Sequence, residues 1–503
     1  MNVLMILPAL AEAGSPHFRP IKYSLFPPLG LATLAAYLDP DDEIELIDEH
    51  VEPVPLDRQP DLVVIEVYIT AARRAYALAD HYRAKGAHVC LGGLHVTSLP
   101  AEAARHGDTV FAGPGEEMWP RFLRDFRAGC ARRLYRGEER TLADQPSPRR
   151  DLIKRGNYLV PNSLLVSRGC PGHCDFCYKD SFYAGGRSYY VQPLDEALAE
   201  ISRLPGRHVF FLDDNLFAGR RYAMDLFTAM RGMGRVWQGA ATVQSALDAG
   251  LLDRAVDSGL RSLFLGFETL DDAGLREQNK FHSRRQDYEK VIAMLRERGV
   301  MVNASFVFGT DRDGPDVFRR TTDWAISQGI ETATFHILTP YPGTRLHARM
   351  AAQGRILTRE WDLYDTRHAV FQPARMTPEQ LEAGYWAAYR QFYRWPAIIR
   401  AASVKPGIIG PLRHIAYSGG WKKLEPLWDW IIRRGLLARM RPVLERVLDS
   451  GEQNQISLPR RTAQPLLSAV PPPAIPAVAA QGGEQHSMCD PVHGLVRVRI
   501  RHK

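Results

Sequence analysis

Through the first 140 residues, short apolar runs alternate with stretches whose apolar positions fall at helical spacing. Val3–Leu7, Glu43–Asp48, Leu62–Tyr68, Val89–Leu91 and Thr109–Phe111 have the length and composition of buried strands. Between them, Leu29–Leu38 and Ala71–Lys85 repeat apolar residues every three or four positions, the mark of helices with one buried face. Strands alternating with helices predict an open, doubly wound, Rossmann-like parallel sheet, which binds ligands outside the carboxyl ends of its strands. Gly92-Gly93 and Gly113-Pro-Gly115 fall at two of those ends. There a missing side chain lets a ligand approach the backbone, although the same residues also suit tight turns.

A polar, Pro- and Arg-rich stretch from Glu139 to Arg150 marks a linker, placed at residues 141–155. A second strand–helix series then occupies residues 156–345. Its expected strands are Ser163–Ser167, His208–Leu212, Ala240–Val243, Ser262–Gly266, Val302–Val307 and Thr332–Leu338. Six strands with intervening helices suit a partial β/α (TIM-like) barrel, whose chemistry gathers at the strand carboxyl ends. Residues 346–450 read as a helical, aromatic-rich region, expected as a cap over the barrel mouth. Basic residues outnumber acidic ones between Arg390 and Arg441, with Trp395, Trp421, Trp428 and Trp430 interleaved, which also suits a lipid or anionic surface. Residues 451–503 turn to Pro, Ala, Gln and Gly and are expected to lack fixed structure.

Composition narrows the class. An apolar share of 45% and a charged share of 24% in 503 residues describe a globular chain of several domains. No run of eighteen apolar residues occurs, and the apolar N-terminus reads as a first strand rather than a cleavable leader, so a cytoplasmic setting is expected. The net charge of +7 is modest for this length; it permits an anionic partner without implying nucleic acid. Of six cysteines, Cys90, Cys130 and Cys489 are scattered, while three crowd into eight residues. Crowding of that kind favours metal or redox chemistry over a disulfide framework.

The crowded segment is Ser167-Arg-Gly-Cys170-Pro-Gly-His-Cys174-Asp-Phe-Cys177-Tyr178, which follows the apolar run Leu164-Leu-Val. Three thiolates so spaced can hold three irons of a cubane, leaving the fourth without a protein ligand. The competing reading is a non-catalytic zinc module with His173 as fourth ligand, although zinc usually joins two separated ligand pairs.

Cys-x3-Cys-x2-Cys, with Phe176 just before the last cysteine, resembles the signature of the radical S-adenosylmethionine (SAM) superfamily. The resemblance implies a 4Fe-4S cluster on Cys170, Cys174 and Cys177. It further implies an iron that takes the amino and carboxylate groups of SAM, and reductive cleavage of the sulfonium to methionine and a 5′-deoxyadenosyl radical. Phe210-Phe-Leu-Asp-Asp-Asn215, Leu265-Gly-Phe-Glu-Thr269 and Phe306-Val-Phe-Gly309 are similar to the family's SAM-contacting strand ends. They assign Phe176, Asp213, Asp214, Glu268 and Gly309 to SAM, with helix caps and solvated loops as the alternative for the acids.

The first domain is similar to the cobalamin-binding domain often fused to this barrel, through Pro27-Pro-Leu-Gly30, Leu91-Gly-Gly-Leu-His95 and Ala112-Gly-Pro-Gly-Glu116. That assigns Gly92, Gly93, Gly113 and Gly115 to cobalamin. The Asp-x-His-x-x-Gly motif that supplies a cobalt ligand elsewhere is absent, and Asp48-Glu-His50 lacks its spacing. The resemblance implies a cobalamin-dependent methyltransferase acting on a small-molecule, lipid or natural-product substrate. Its alternative is a radical SAM cyclase, oxidase or rearrangement enzyme without methyl transfer. It also implies an electron donor such as flavodoxin or ferredoxin, with peripheral membrane contact as a further expectation and nucleic acid not expected.

Overall fold

A computed structural model describes residues 1–10, 24–137, 140–280, 284–420 and 425–449; the tail expected at 451–503 lies outside them. The first sheet contains β1 (Asn2–Leu7), β2 (Glu43–Asp48), β3 (Leu62–Glu66), β4 (His88–Gly92), β5 (Thr109–Ala112) and β6 (Leu134–Arg136). All pair in parallel, in the order β2-β1-β3-β4-β5-β6. The order reverses between β1 and β3, so the crevice for a ligand opens at their carboxyl ends. Helices Leu29–Ala35 and Gly115–Arg127 cover one face through Leu31, Trp119 and Phe122; helix Ala72–Ala84 covers the other through Leu78 and Tyr82.

The chain continues through β7 (Ser163–Leu164), then an antiparallel pair of β8 (Ser167–Gly169) and β9 (Tyr189–Val191). The rest of the second sheet is β10 (His208–Phe211), β11 (Val236–Ala241), β12 (Leu260–Glu268), β13 (Met301–Phe308) and β14 (Thr332–Ile337). Its order is β7-β10-β11-β12-β13-β14, parallel throughout, and β7 does not pair with β14, so the barrel is partial. Alternation decides the two faces. Leu263, Leu265, Phe267, Val302, Ala304, Phe306, Phe308 and Phe335 pack outward against the helices, while Gln238, Ser262, Asn303 and Thr332 turn into the lumen.

Three expectations change. Strand β11 starts earlier than the expected 240–243 and stops at Ala241, because Thr242 caps the next helix in a reciprocal capping box with Ser245. The segment 141–155, expected as a linker, is packed down: Arg150 donates to the Ser163 carbonyl (2.8 Å) and Glu200 (2.6 Å), and Leu142 and Ile153 are buried. The C-terminal helices close the floor of the barrel instead of its mouth. Helices Ile409–Ser418 and Leu437–Asp449 lie at the strand starts, where Glu445 accepts from the His208 N–H (3.3 Å) and Arg413 donates to the Gly299 carbonyl (2.8 Å). Tyr417 reaches the lumen floor, where its hydroxyl donates to Gln238 (3.2 Å). Lumen polar groups demand partners, and this end of the barrel is where the helices can supply them. The mouth is left to residues 356–371, which cross to the first sheet; there the Trp361 indole donates to Glu102 (3.1 Å).

Tyr417→Phe removes the floor's hydroxyl and leaves Gln238 short of a donor. Denaturant unfolding should show a loss of about 1–3 kcal/mol. An unchanged midpoint would show that the helix does not brace the barrel.

Candidate functional site

The three cysteines stand on the loop that follows β8, at the carboxyl end of the barrel. Gly169 makes the loop's entry possible: it has φ +76, and a Cβ there would lie 2.0 Å from the Ser188 carbonyl oxygen. Beyond it the Cys170 N–H donates to the same carbonyl (3.0 Å). Lys179 closes the loop by donating to the carbonyls of Cys170 (2.9 Å) and Gly172 (3.0 Å). Asp175 anchors its far side, paired with Arg345 (3.2 Å) and Arg349 (2.8 Å) of helix Arg345–Ala352. The Asn215 amide (3.8 Å) and the Gly172 N–H (3.4 Å) point to the Cys170 sulfur. Phe176 packs against the barrel core.

This donor set fits a cluster better than a single ion. Among the described residues no three His, Cys, Asp or Glu side chains converge on one ion position. A cubane takes its thiolates on three separate irons and needs no such convergence. His173, the fourth ligand of the zinc reading, is 59% exposed and bonded to Asp180 (3.0 Å). Burial raises the Cys174 thiol above its ordinary range and the Cys177 thiol to about 12, so a bound metal is what would hold them as thiolates.

The residues expected at SAM divide. Glu268 ends β12 with φ +63, a left-handed conformation in a non-glycine residue, at a break in the β12–β13 register. Strain of this kind is held where the surroundings require it. Lys280 donates to its carboxylate (2.6 Å) and to the Gly266 carbonyl (2.7 Å). A Cβ on Gly266 would sit 2.5 Å from the Glu268 carboxylate and displace it from this position. Asp214 accepts from the Gly169 N–H (3.1 Å) and the Tyr178 hydroxyl (3.3 Å), and so braces the cysteine loop. Asp213 is engaged by the backbone of the segment before the cysteines. It is buried and accepts from the Ser167 N–H and hydroxyl (2.5 Å each) and the Val166 N–H (3.2 Å), so it faces inward and positions β8. Burial pushes its carboxyl up to about 7 against those hydrogen bonds. Gly309 sits at a close approach of two elements. It has φ +99, but a Cβ there would meet Leu381 at 2.9 Å and Phe371 at 3.2 Å, so packing against helix Pro378–Phe392 accounts for it.

Gly92, Gly93, Gly113 and Gly115 line one crevice of about 100 Å³, with Gly30, Glu66, Phe111 and Trp119. Gly93 (φ +105) and Gly113 (φ +99) adopt left-handed backbone, while Gly92 and Gly115 have 3.6 Å of clearance at the Cβ position. Arg168 and Phe182, from either side of the cysteine loop, close the crevice. Crowding raises the Glu66 carboxyl above its ordinary range, against a hydrogen bond from Tyr68 and the pull of Arg168. Beside the crevice a cavity of about 400 Å³ lies between the two sheets, lined by Tyr68, Leu94, His95, Tyr178, Tyr341 and Tyr364. His95 is buried and bonded to Glu102 through Nε2 (3.0 Å), and burial lowers its pKa. His50 pairs with Asp48 (2.8 Å) and borders neither space.

Sequence reasoning missed Arg168, Lys280 and the cavity's tyrosines. It also missed His336, which turns toward Glu268 from β14 and bonds to Thr366 (3.1 Å). Only His336 carries a sequence signal: Thr332, Thr334 and His336 are the alternate polar positions of that strand.

Two family models match the chain, one described as the radical SAM superfamily (residues 164–340), the other as a B12 binding domain (residues 23–123). Bacteriochlorophyllide d C-12(1)-methyltransferase of Chlorobaculum tepidum is 29% identical over 394 residues, 75% of this chain and 85% of its own. The C-8(2)-methyltransferase of that organism is 25% identical over 401 residues, 75% and 88%. Among solved structures, the radical SAM methyltransferase TsrM from Kitasatospora setae, with cobalamin and a 4Fe-4S cluster bound, superposes with a TM-score of 0.57. It is 16% identical and covers 87% of this chain and 99% of its own, a likeness of fold.

Protein purified without oxygen should be brown, with iron and sulfide near the four-to-four ratio of a cubane. Replacing Cys170, Cys174 and Cys177 together by Ala should abolish the colour and the iron; a colourless, zinc-rich wild type would refute the cluster. Asp213→Ala should cost about 1–3 kcal/mol in unfolding, because it strands backbone donors. Glu268→Gln, which leaves the buried Lys280 ammonium without its carboxylate, should lower stability yet keep the cluster spectrum while weakening SAM binding in equilibrium dialysis.

Proposed function

We propose that the chain, which belongs to the radical SAM superfamily in the branch carrying a cobalamin-binding domain, is a cobalamin-dependent methyltransferase of a bulky small-molecule or natural-product substrate. It is an enzyme of 4Fe-4S cluster, SAM and cobalamin. When bound, the cluster would supply the electron for reductive cleavage of SAM, and cobalamin would supply a carrier for the methyl group. One observation carries the reading: Arg168 and Phe182, on the flanks of the cysteine loop, line the glycine crevice, and Leu94, next to Gly93, lines one cavity with Tyr178. Tyr178, next to Cys177, faces that cavity opposite Tyr68 and Leu94 from the ends of the first sheet.

Each of the chain's own groups has a part in this reading. Cys170, Cys174 and Cys177 hold three irons and leave one open for SAM. Glu268, fixed by Lys280, accepts from the SAM amino group or ribose at the strand end. The crevice glycines keep room for the cofactor's nucleotide tail, and among the described residues no histidine lines that crevice. The tyrosines give the cavity flat walls that exclude water and favour a flat, largely apolar substrate. Bacteriochlorophyllide d, named in the relatives above, is of that kind.

The net charge of +7 supports docking of an acidic electron donor such as flavodoxin or ferredoxin. On the barrel's floor side Ile408 (81% exposed), Leu412 (61%) and Ile399 (57%) stand beside exposed Arg394 and Arg400. That face supports peripheral contact with an anionic membrane surface.

Reconstituted anaerobically with hydroxocobalamin, a low-potential reductant and a panel of tetrapyrroles and polycyclic lipids, the enzyme should yield S-adenosylhomocysteine, 5′-deoxyadenosine and a methylated product by mass spectrometry. Deoxyadenosine as the sole SAM product, with an unmethylated substrate, would favour the cyclase, oxidase or rearrangement class. Gly92→Leu and Gly115→Leu, which fill the crevice without straining the backbone, should lose hydroxocobalamin on gel filtration while melting like the parent. Full retention in both would place cobalamin elsewhere.

A further inference from the structure

Arg168 sits on β8, two residues before Cys170, yet its side chain leaves the barrel and enters the crevice of the first sheet. There it pairs with Glu116, a buried residue in the first turn of helix Gly115–Arg127. Burial works against its charge, and the carboxylates of Glu116 and Glu66 more than offset this, keeping it fully cationic. Its Nε is buried and has no hydrogen-bond partner among the described residues. Phe182, five residues after Cys177, closes the same crevice, and its carbonyl lies 3.6 Å from where a Cβ on Gly113 would stand. The crevice that these two side chains narrow holds about 100 Å³. A group filling it lies against both of them, and the two reach in from the barrel on the flanks of the cysteine loop.

We infer that Arg168 and Phe182 couple the two halves of the enzyme, so that filling the glycine crevice shifts the cysteine loop and changes how the cluster receives SAM. Both are positioning residues, and the inference rests on cobalamin occupying the crevice. Coupling is reciprocal, so hydroxocobalamin must change the SAM dissociation constant by the factor by which SAM changes that of hydroxocobalamin.

The test titrates cluster-loaded, full-length protein with hydroxocobalamin and with SAM, each in the absence and the presence of the other. Absorbance reports cobalamin, and the electron paramagnetic resonance of the reduced cluster reports SAM. Wild type should show a coupling factor of about 5–150 in both directions. Arg168→Met with Glu116→Gln removes both charges together, so no buried ion is left unpaired. That double variant and Phe182→Ala should each bind both ligands with a coupling factor near one, and Arg168→Lys should restore part of it. An uncoupled wild type, or a factor unchanged in both variants, overturns the inference. Loss of cobalamin binding in both variants also overturns it, in favour of a simple binding role. If Gly92→Leu and Gly115→Leu retain cobalamin, the placement in the crevice has failed; if they lose it while the coupling survives both variants, the inference alone has failed.

Discussion

Two consecutive carboxylates, Asp213 and Asp214, hold the segment on which the chemistry depends. They follow β10, which needs only a short apolar run to pair with its neighbours. From there Asp213 takes the backbone donors of Val166 and Ser167, and Asp214 takes that of Gly169. The strand entering the cysteine loop is three residues long and pairs on one side only, so the sheet alone does not fix it. Charge-assisted hydrogen bonds to carboxylates are the stronger kind, and here they stand in for a neighbouring strand. Asp175, clamped by Arg345 and Arg349, does the same at the far end of the loop.

A loop held at both ends can serve two neighbours at once. Its inner side faces the barrel, where Glu268 and Lys280 lie within electrostatic reach of Cys174. Its flanks face the first sheet, where Arg168 and Phe182 complete the crevice. The crossing segment around Trp361 binds the two halves together from the other side, through Glu102, which also receives Tyr76 and His95. The large cavity is thus walled by both sheets and by a stretch of chain that belongs to neither.

The sheets were legible because their strands are apolar and regularly spaced, and apolar periodicity survives in sequence. What escaped was short or polar. Strand β6 lies in the run Arg132-Arg-Leu-Tyr-Arg136, where one buried residue, Tyr135, gives no period. Strands β8 and β9 have three residues each, and β8 is set by carboxylates distant in sequence. The cysteines, the glycines and Glu268 stood out because their spacing or position is itself chemical. Asp213 stood out for the same reason, and an aspartate at a strand end reads alike whether it meets a ligand or braces a backbone. Arg168 could not be read at all: its partner Glu116 lies 52 residues away, and only the docking of the two sheets brings them together.

The central claim is that one iron of the cluster has no protein ligand and is the place where SAM binds. Electron–nuclear double resonance on the reduced protein, with SAM carrying nitrogen-15 in its amino group, tests it directly. The account predicts a hyperfine coupling between the cluster and that nitrogen, present only when SAM is bound. A cluster whose resonance is unaltered by SAM and shows no such coupling would contradict it.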